Sequence, residues 1–342
     1  MHESLNLEKI ESEEAKRARM NLIWRNESIK FNINGVELSL KDCYKKSIEN
    51  SENTFKETRK VALGNIPDGK YILYVNSTIN TIAKHKNIKH IDEDRLSQFY
   101  RAETGSNIID PDNFQKNNMM HCLGLVESDN KLRSVELSKE GIPSDLSDCV
   151  GIIFSGSEVN VEGDLEIEHI EILKKARGIA GNASELCVPQ LGICFGGQML
   201  AVHAGGEVGS IFDESGKAKR VMGITPVIHR GFNNANMNSL EGSFYVAQNH
   251  GQEIIKETLP SNASILAFSD KGGVEMVLFP DSNIFSVQFH PEVDPTRLDL
   301  FASLNDTDQN RAEFFSKDLN KIRSLLFPDF LNTVGYSEEI HV

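Results

Sequence analysis

The feature that most narrows what this chain can fold into is a short central run, Gly192-Ile193-Cys194-Phe195-Gly196-Gly197-Gln198. It stands where the apolar segment VPQLGI (188–193) stops and the helical pattern QMLAVHA begins. The run has the form glycine-x-nucleophile-x-glycine. In that form the central residue occupies a tight strand-to-helix turn, and glycines two positions away on either side admit backbone where a Cβ would collide. A sulfur held there sits at the N-terminus of a helix, whose dipole and N–H groups favour thiolate over thiol. The N–H of Phe195 then points toward an oxyanion developing on a reacting carbonyl. Taken alone, the heptapeptide leaves a second reading open: Cys194 as a buried structural cysteine on a glycine-rich turn, as most free cysteines are. Cys43, Cys122, Cys149 and Cys187 lack such surroundings and are assigned to packing.

A turn of this kind needs a sheet to carry it. From Tyr71 onward short apolar strands alternate with helical segments, the pattern of an α/β sheet with parallel strands. YILYV (71–75) and CVGIIF (149–154) read as strands, the latter running into Ser155-Gly156-Ser157, with a helix from about Asp164 to Ile179 following. The stretch 103–118 reads as a loop or insertion. Strands dominate the C-terminal third in SFYVAQ, SILAFS, VEMVLF and IFSVQF, and a last helix spans roughly Asp308 to Leu326 before a short tail, 328–342. Residues 1–66 read as an N-terminal α+β extension. It has a first helix containing Leu22, Ile23 and Trp24, a β-hairpin in which Ile29, Phe31 and Ile33 alternate before Asn34-Gly35 and Val36, Leu38 and Leu40 resume, and a second helix from roughly Lys41 to Val61. The breakers Gly64, Pro67 and Gly69 set a boundary near 66, so the main domain is expected over 67–327.

A thiol nucleophile needs a general base, and the base needs a group that fixes its tautomer. Phe289-His290-Pro291-Glu292 offers both at a strand end. Side chains at i and i+2 of an extended segment leave the same side, and Pro291 turns His290 away from helical geometry, so Glu292 can lie beside the imidazole. By itself the tripeptide H-P-E equally describes a solvated turn with an incidental histidine.

Composition removes other classes. The chain has 342 residues, enough for a full core, and 36 Lys plus Arg against 50 Asp plus Glu give a net charge of −14. Such a field repels phosphate backbones and anionic membranes, so neither nucleic acid nor a membrane surface is expected as a partner. The five cysteines are scattered with no CxxC pair, which argues against a disulfide framework or a cysteine zinc site and for a reducing compartment. No H-E-x-x-H occurs, so no metal is implied. The N-terminus lacks a signal-type apolar core, and no apolar run reaches the roughly 20 residues of a membrane helix, so a cytoplasmic location is expected.

The joint pattern G-I-C-F-G-G-Q followed by Q-F-H-P-E resembles the class I, triad-type glutamine amidotransferases, in the manner of the glutaminase portions of GMP synthases and of the carbamoyl-phosphate synthase small chain. Gly205-Gly206-x-Val208 is similar to the turn after the nucleophile helix in that family. Gln248-Asn249-His250-Gly251 is similar to a substrate-contacting loop, and the strand ending in Ser155-Gly156-Ser157 to the oxyanion strand. These matches cover about 150 to 295. The resemblance implies an open, mostly parallel twisted sheet flanked by helices, flavodoxin-like, with the site at the carboxyl ends of the strands. It also implies a triad of Cys194, His290 and Glu292, an oxyanion hole from the backbone of Phe195 and Ser157 with Gly156 as alternative donor, and glutamine held by Gln198, Asn249 and Gly251. His250 is expected to be structural. Two departures stand out: Ser157 and Glu158 replace the family's G-P, and Gln252 stands where an aromatic residue or aspartate is commoner.

The activity so implied is hydrolysis of L-glutamine to glutamate and ammonia through a glutamyl thioester, with no cofactor. The chain carries no Walker G-x-x-x-x-G-K-[ST], no S-G-G-x-D loop and no glycine-rich dinucleotide fingerprint. The expectation is therefore that ammonia passes to a separate synthetase partner, which residues 1–66 help to dock. Two alternatives remain: a stand-alone hydrolase of γ-glutamyl amides or peptides with the same fold, and a regulatory pseudoenzyme.

Overall fold

The computed structural model describes residues 30–33, 35–78, 111–157, 159–163, 165–229, 242–270, 272–293 and 308–339. The expected helix around Leu22, Ile23 and Trp24, the first hairpin residue Ile29, most of the segment between the first strand and residue 110, and Glu158 lie outside the described residues.

The hairpin forms as its alternation predicts. β1 (Phe31–Ile33) pairs antiparallel with β2 (Val36–Leu38), with Phe31 and Ile33 buried and Asn32 exposed. Asn32 Oδ1 accepts from the Gly35 N–H at 2.9 Å and closes the turn. Ser39 then starts α1 (Leu40–Asn65) with a reciprocal cap: its Oγ accepts from the Asp42 N–H at 3.2 Å, and Asp42 Oδ2 accepts from the Ser39 N–H at 3.0 Å. Those bonds from Ser39 hold the Asp42 carboxyl down to about 2. Cys43, Ser47, Thr58, Ala62 and Ile66 form the buried stripe of this helix, and Pro67 ends it.

β3 (Tyr71–Asn76) leads to α2 (Pro111–Cys122) and β4 (Leu132–Glu136). β5 (Cys149–Phe154), α3 (Ile167–Glu185), β6 (Gln190–Ile193), α4 (Phe195–His203) and β7 (Glu207–Ser210) follow. The chain continues through β8 (Val221–His229), β9 (Gly242–His250), β10 (Gln252–Ile255), β11 (Ser264–Ser269), β12 (Val274–Phe279) and β13 (Ile284–Val287), and ends with α5 (Asp308–Glu313) and α6 (Leu319–Glu339), joined by a π turn at Phe314–Asp318. Nine strands form one sheet in the order β4-β3-β5-β6-β13-β12-β11-β8-β9, while β7 and β10 pair separately. Every residue of β3 and β5 is buried, as strands covered on both faces must be.

The two faces sort by alternation along the strands. Ile72, Tyr74, Ile153 and Leu191 pack with Ala62 of α1, Met119 of α2 and Leu326, Phe327 and Leu331 of α6. Leu73, Val75, Ile152 and Phe154 pack instead with Ile172, Ala176 and Ile179 of α3 and Met199 and Leu200 of α4. The result is an α/β sheet flanked by helices on both faces. Among the described residues, no helix is long and apolar enough to cross a membrane.

Four findings differ from the sequence reading. The sheet is mixed rather than mostly parallel: β4-β3, β3-β5, β5-β6 and β6-β13 are parallel, whereas β13-β12, β12-β11, β11-β8 and β8-β9 are antiparallel. The connections 270–273 and 280–283 are too short for a parallel crossover, which needs a dozen or more residues. Part of the expected loop 103–118 is helix, because Met119, Met120 and Cys122 at the end of α2 bury against the sheet despite the polar residues before them. α1 is one of the helices covering the sheet, sharing its cluster with α6. Residues 328–339, read as tail, continue α6 through Pro328. A proline inside a helix costs about 3 kcal/mol, and burial of Phe327, Phe330, Leu331 and Val334 offsets it.

Phe330 touches the sheet where a Cβ on Gly151 would lie 3.0 Å from its ring. Phe330→Ala should lower the unfolding free energy by about 3–5 kcal/mol, read from chemical denaturation of the full chain. A change below about 1 kcal/mol would mean that this segment contributes no core.

Candidate active site

Cys194 occupies the junction between β6 and α4 with φ 51° and ψ −109°, a backbone conformation that L-residues adopt only under constraint. Its neighbours supply the constraint. The Cys194 N–H donates to Val287 O at 2.8 Å, the Gln198 N–H to Cys194 O at 2.9 Å, and the Gly196 N–H to Ser155 O at 3.1 Å. A Cβ on Gly192 would stand 2.5 Å from Gly196 O and 2.6 Å from the Gly197 Cα, so the elbow closes only without side chains there. Phe195, as the first helical residue, has no intrahelical acceptor for its N–H.

The base arrives from the neighbouring strand. β13 runs parallel to β6, with Val287 opposite Ile193, so the chain leaving β13 passes beside the elbow. The His290 N–H donates to Ala247 O at 2.9 Å, and the imidazole is hydrogen-bonded to Cys194 on one side and to Glu292 on the other, with Nδ1 2.7 Å from Glu292 Oε1. Only 11% of the His290 side chain and 21% of the Glu292 side chain are exposed. Burial opposes the imidazolium, but the Glu292 carboxylate and the Cys194 sulfur outweigh it and lift His290 to about 10.

Gly156 packs against both partners: a Cβ there would lie 2.7 Å from His290 Cε1 and 3.5 Å from the Cys194 Cβ. Hydroxyls fix the end of that strand. Ser155 Oγ accepts from the Ser77 N–H at 2.9 Å and donates to Gly156 O at 2.8 Å, and Ser157 Oγ donates to Ser77 O at 2.7 Å. With its hydroxyl so engaged, Ser157 offers a ligand its backbone N–H. The structure thus brings Cys194, Phe195, Gly156, Ser157, His290 and Glu292 to the carboxyl ends of β5, β6 and β13.

The residues expected to hold substrate divide. Gln198 is buried, and its Nε2 donates to Gln252 O at 2.6 Å and Gln288 Oε1 at 3.0 Å, so its donors act inside the protein. Asn249 and Gly251 lie at and just beyond the end of β9, past the Ala247 carbonyl that binds His290. Asn249 Oδ1 accepts from Arg220 Nε at 2.5 Å, and Gly251 O accepts from the Ile211 N–H at 3.0 Å. His250 is structural: burial, together with His290 and Arg220, lowers it to about 4 against the bond to Gln252 O, and the neutral ring donates from Nδ1 to that carbonyl at 2.9 Å.

Two functional neighbours escaped the sequence reading. Gln288, fully buried, donates from Nε2 to Cys194 Sγ at 3.7 Å. Gln252, visible in the sequence only as an unusual residue, latches the segment after Ser157, accepting from the Val161 N–H at 2.8 Å and donating to Glu162 O at 2.9 Å. The alternation Ser286-Gln288-His290 along one strand face is the one local signal for the first.

A family model described as glutamine amidotransferase class-I matches residues 108–305, which span all these positions. The chain is 35% identical over 136 residues to the glutamine-hydrolyzing subunit of GMP synthase from Methanosphaera stadtmanae, covering 38% of this chain and 68% of that protein. It is 30% identical over 166 residues to the corresponding subunit from Sulfolobus acidocaldarius, covering 48% of this chain and 79% of that one. The solved structure of SMU.1228c superposes with a TM-score of 0.51 at 16% identity over 77% of this chain and 99% of that chain, a likeness of fold.

Because the folded-state value of His290 lies above its ordinary 6.5, the stabilisation from its pairing is fully present below pH 6.5 and is lost as pH rises through about 10. Glu292→Gln removes the opposite charge, so the His290 midpoint should fall, as NMR of the imidazole would record. An unchanged midpoint would show that the carboxylate does not hold the proton.

Proposed function

Since the chain belongs to the class I glutamine amidotransferase family, we propose that it hydrolyses L-glutamine to glutamate and ammonia at Cys194 and passes the ammonia to a separate synthetase partner. The observation that carries this reading is the chain of contacts at the elbow: Cys194 bonded to His290, whose Nδ1 lies 2.7 Å from Glu292 Oε1.

In the proposed reaction His290 takes the thiol proton and Sγ attacks the side-chain amide carbon of glutamine, forming a C–S bond while the carbonyl π electrons move to oxygen. The N–H groups of Phe195 and Ser157, with Gly156 as alternative, would receive that oxyanion. Collapse breaks the C–N bond as the imidazolium gives its proton to the nitrogen, and ammonia leaves. Water then attacks the glutamyl thioester, His290 accepts its proton, and glutamate departs as sulfur regains its electron pair. Glu292 keeps the Nδ1 tautomer and stabilises the imidazolium without itself taking the proton. Asn249 and Gly251 would position the amino-acid end of the substrate. Gln198 would contribute from behind by fixing Gln288 and the Gln252 backbone.

A synthetase partner is supported by the names of the relatives, which designate the glutamine-hydrolyzing subunit of GMP synthase. It is supported too by the missing nucleotide-binding signatures in this sequence. A partner forming a nucleotide amide is therefore the proposed acceptor.

Ammonia release from L-glutamine should be lost by at least about 10³-fold in Cys194→Ala and by about 10²–10⁴-fold in His290→Ala, assayed with the co-purified partner present. Cleavage of γ-glutamyl peptides in preference to glutamine would favour the stand-alone hydrolase instead. Undiminished turnover in Cys194→Ala would sink the reading.

A further inference from the structure

The turn that carries the base and its orienter is held from outside the sheet. Val293 N–H closes it on His290 O at 3.4 Å, and the next three carbonyls are all taken by side chains. Arg323, on the second turn of α6 and only 3% exposed, donates from Nε to Pro291 O at 2.8 Å and from a terminal nitrogen to Val293 O at 2.7 Å. Between them, Asn118 of α2 donates from Nδ2 to Glu292 O. One guanidinium therefore grips the backbone on both sides of Glu292.

A buried cation is costly unless its donors are satisfied, and carbonyl dipoles compensate it less well than a carboxylate would. Core filling alone does not call for a cation here, since Ile322, Leu326 and Phe327 already supply the apolar face of this part of α6. What the guanidinium provides is a rigid planar fork whose separate N–H groups fix two acceptors at a set spacing, which a lysine ammonium cannot reproduce. The separation of His290 Nδ1 from Glu292 Oε1 depends on the backbone torsions between them, and those are what the fork fixes. α6 itself is anchored to α1: Asn320 Nδ2 donates to Ser47 O at 2.9 Å, and Asn65 Nδ2 donates to Asn332 Oδ1 at 2.9 Å.

We infer that Arg323 is a positioning residue for the reaction, setting the 290–293 turn so that Glu292 stays in register with His290. This rests on the reading of that pair as base and orienter. Charge is not the route, because the groups acting electrostatically on His290 are Glu292 and Cys194, with His250 neutral beside it. The influence of Arg323 runs through geometry.

Arg323→Met and Arg323→Lys, made in the full chain with its partner, test this. Both should lower the His290 midpoint seen by imidazole NMR, Lys less than Met. They should lower kcat for glutamine hydrolysis by about 10²-fold in Met with KM unchanged. Added to Glu292→Gln, Arg323→Met should cause no further loss. Arg323→Lys keeps the buried charge and carries the test if the Met variant fails to fold. An unchanged His290 midpoint in a folded variant, a loss confined to KM, or losses that multiply with Glu292→Gln would each overturn the inference. The titration needs no substrate, so absence of glutamine hydrolysis in the native chain would sink the proposed reaction and leave the role of Arg323 still decidable.

Discussion

The structure turns on a single unfavourable backbone conformation, that of Cys194 between β6 and α4. A positive φ at a residue with a side chain costs on the order of 1–3 kcal/mol, and it persists here because β5, β13 and α4 each hold one of the adjoining peptide groups. In return the sulfur is lifted out of the strand at a helix N-terminus, where N–H groups converge. Each of the close approaches around it depends on a glycine, and none would survive a Cβ.

The mixed sheet explains how the base reaches that point. Parallel pairing of β13 with β6 carries the chain past the elbow, so that His290 emerges beside Cys194. The antiparallel strands beyond β13 then supply what surrounds the pair: β9 offers Ala247 O to the His290 backbone, and the turn after β9 offers Gln252 O to both His250 and Gln198. Behind the turn stand α2 and α6, and α6 leans on α1. Segments distant in sequence and remote from the reacting atoms thus share one function, which is to keep three side chains within hydrogen-bonding reach.

What was legible in the sequence was local. The elbow, the H-P-E turn, the hairpin around Gly35 and the strands of the C-terminal third all depend on residues within a few positions of each other. What was not legible depends on long separations. Gln288 meets Cys194 across 94 residues, Gln252 meets Val161 across 91, and Arg323 meets Val293 across 30. No local pattern marks such partners. The helix after Pro328 was missed for a related reason, since proline is a strong local stop signal and only the tertiary burial of Phe330 and Val334 overrides it. The antiparallel half of the sheet was a readable feature passed over, because four-residue spacers already forbid parallel crossovers there.

The central claim is that Cys194 forms a covalent bond to the γ-carbonyl of glutamine. Mass spectrometry of the full chain with its partner, acid-quenched during turnover on L-glutamine and digested, tests it most directly. The account predicts one glutamyl group on the peptide containing Cys194, absent from Cys194→Ala. Steady ammonia release with no adduct on that peptide, or with the adduct on another cysteine, would contradict it.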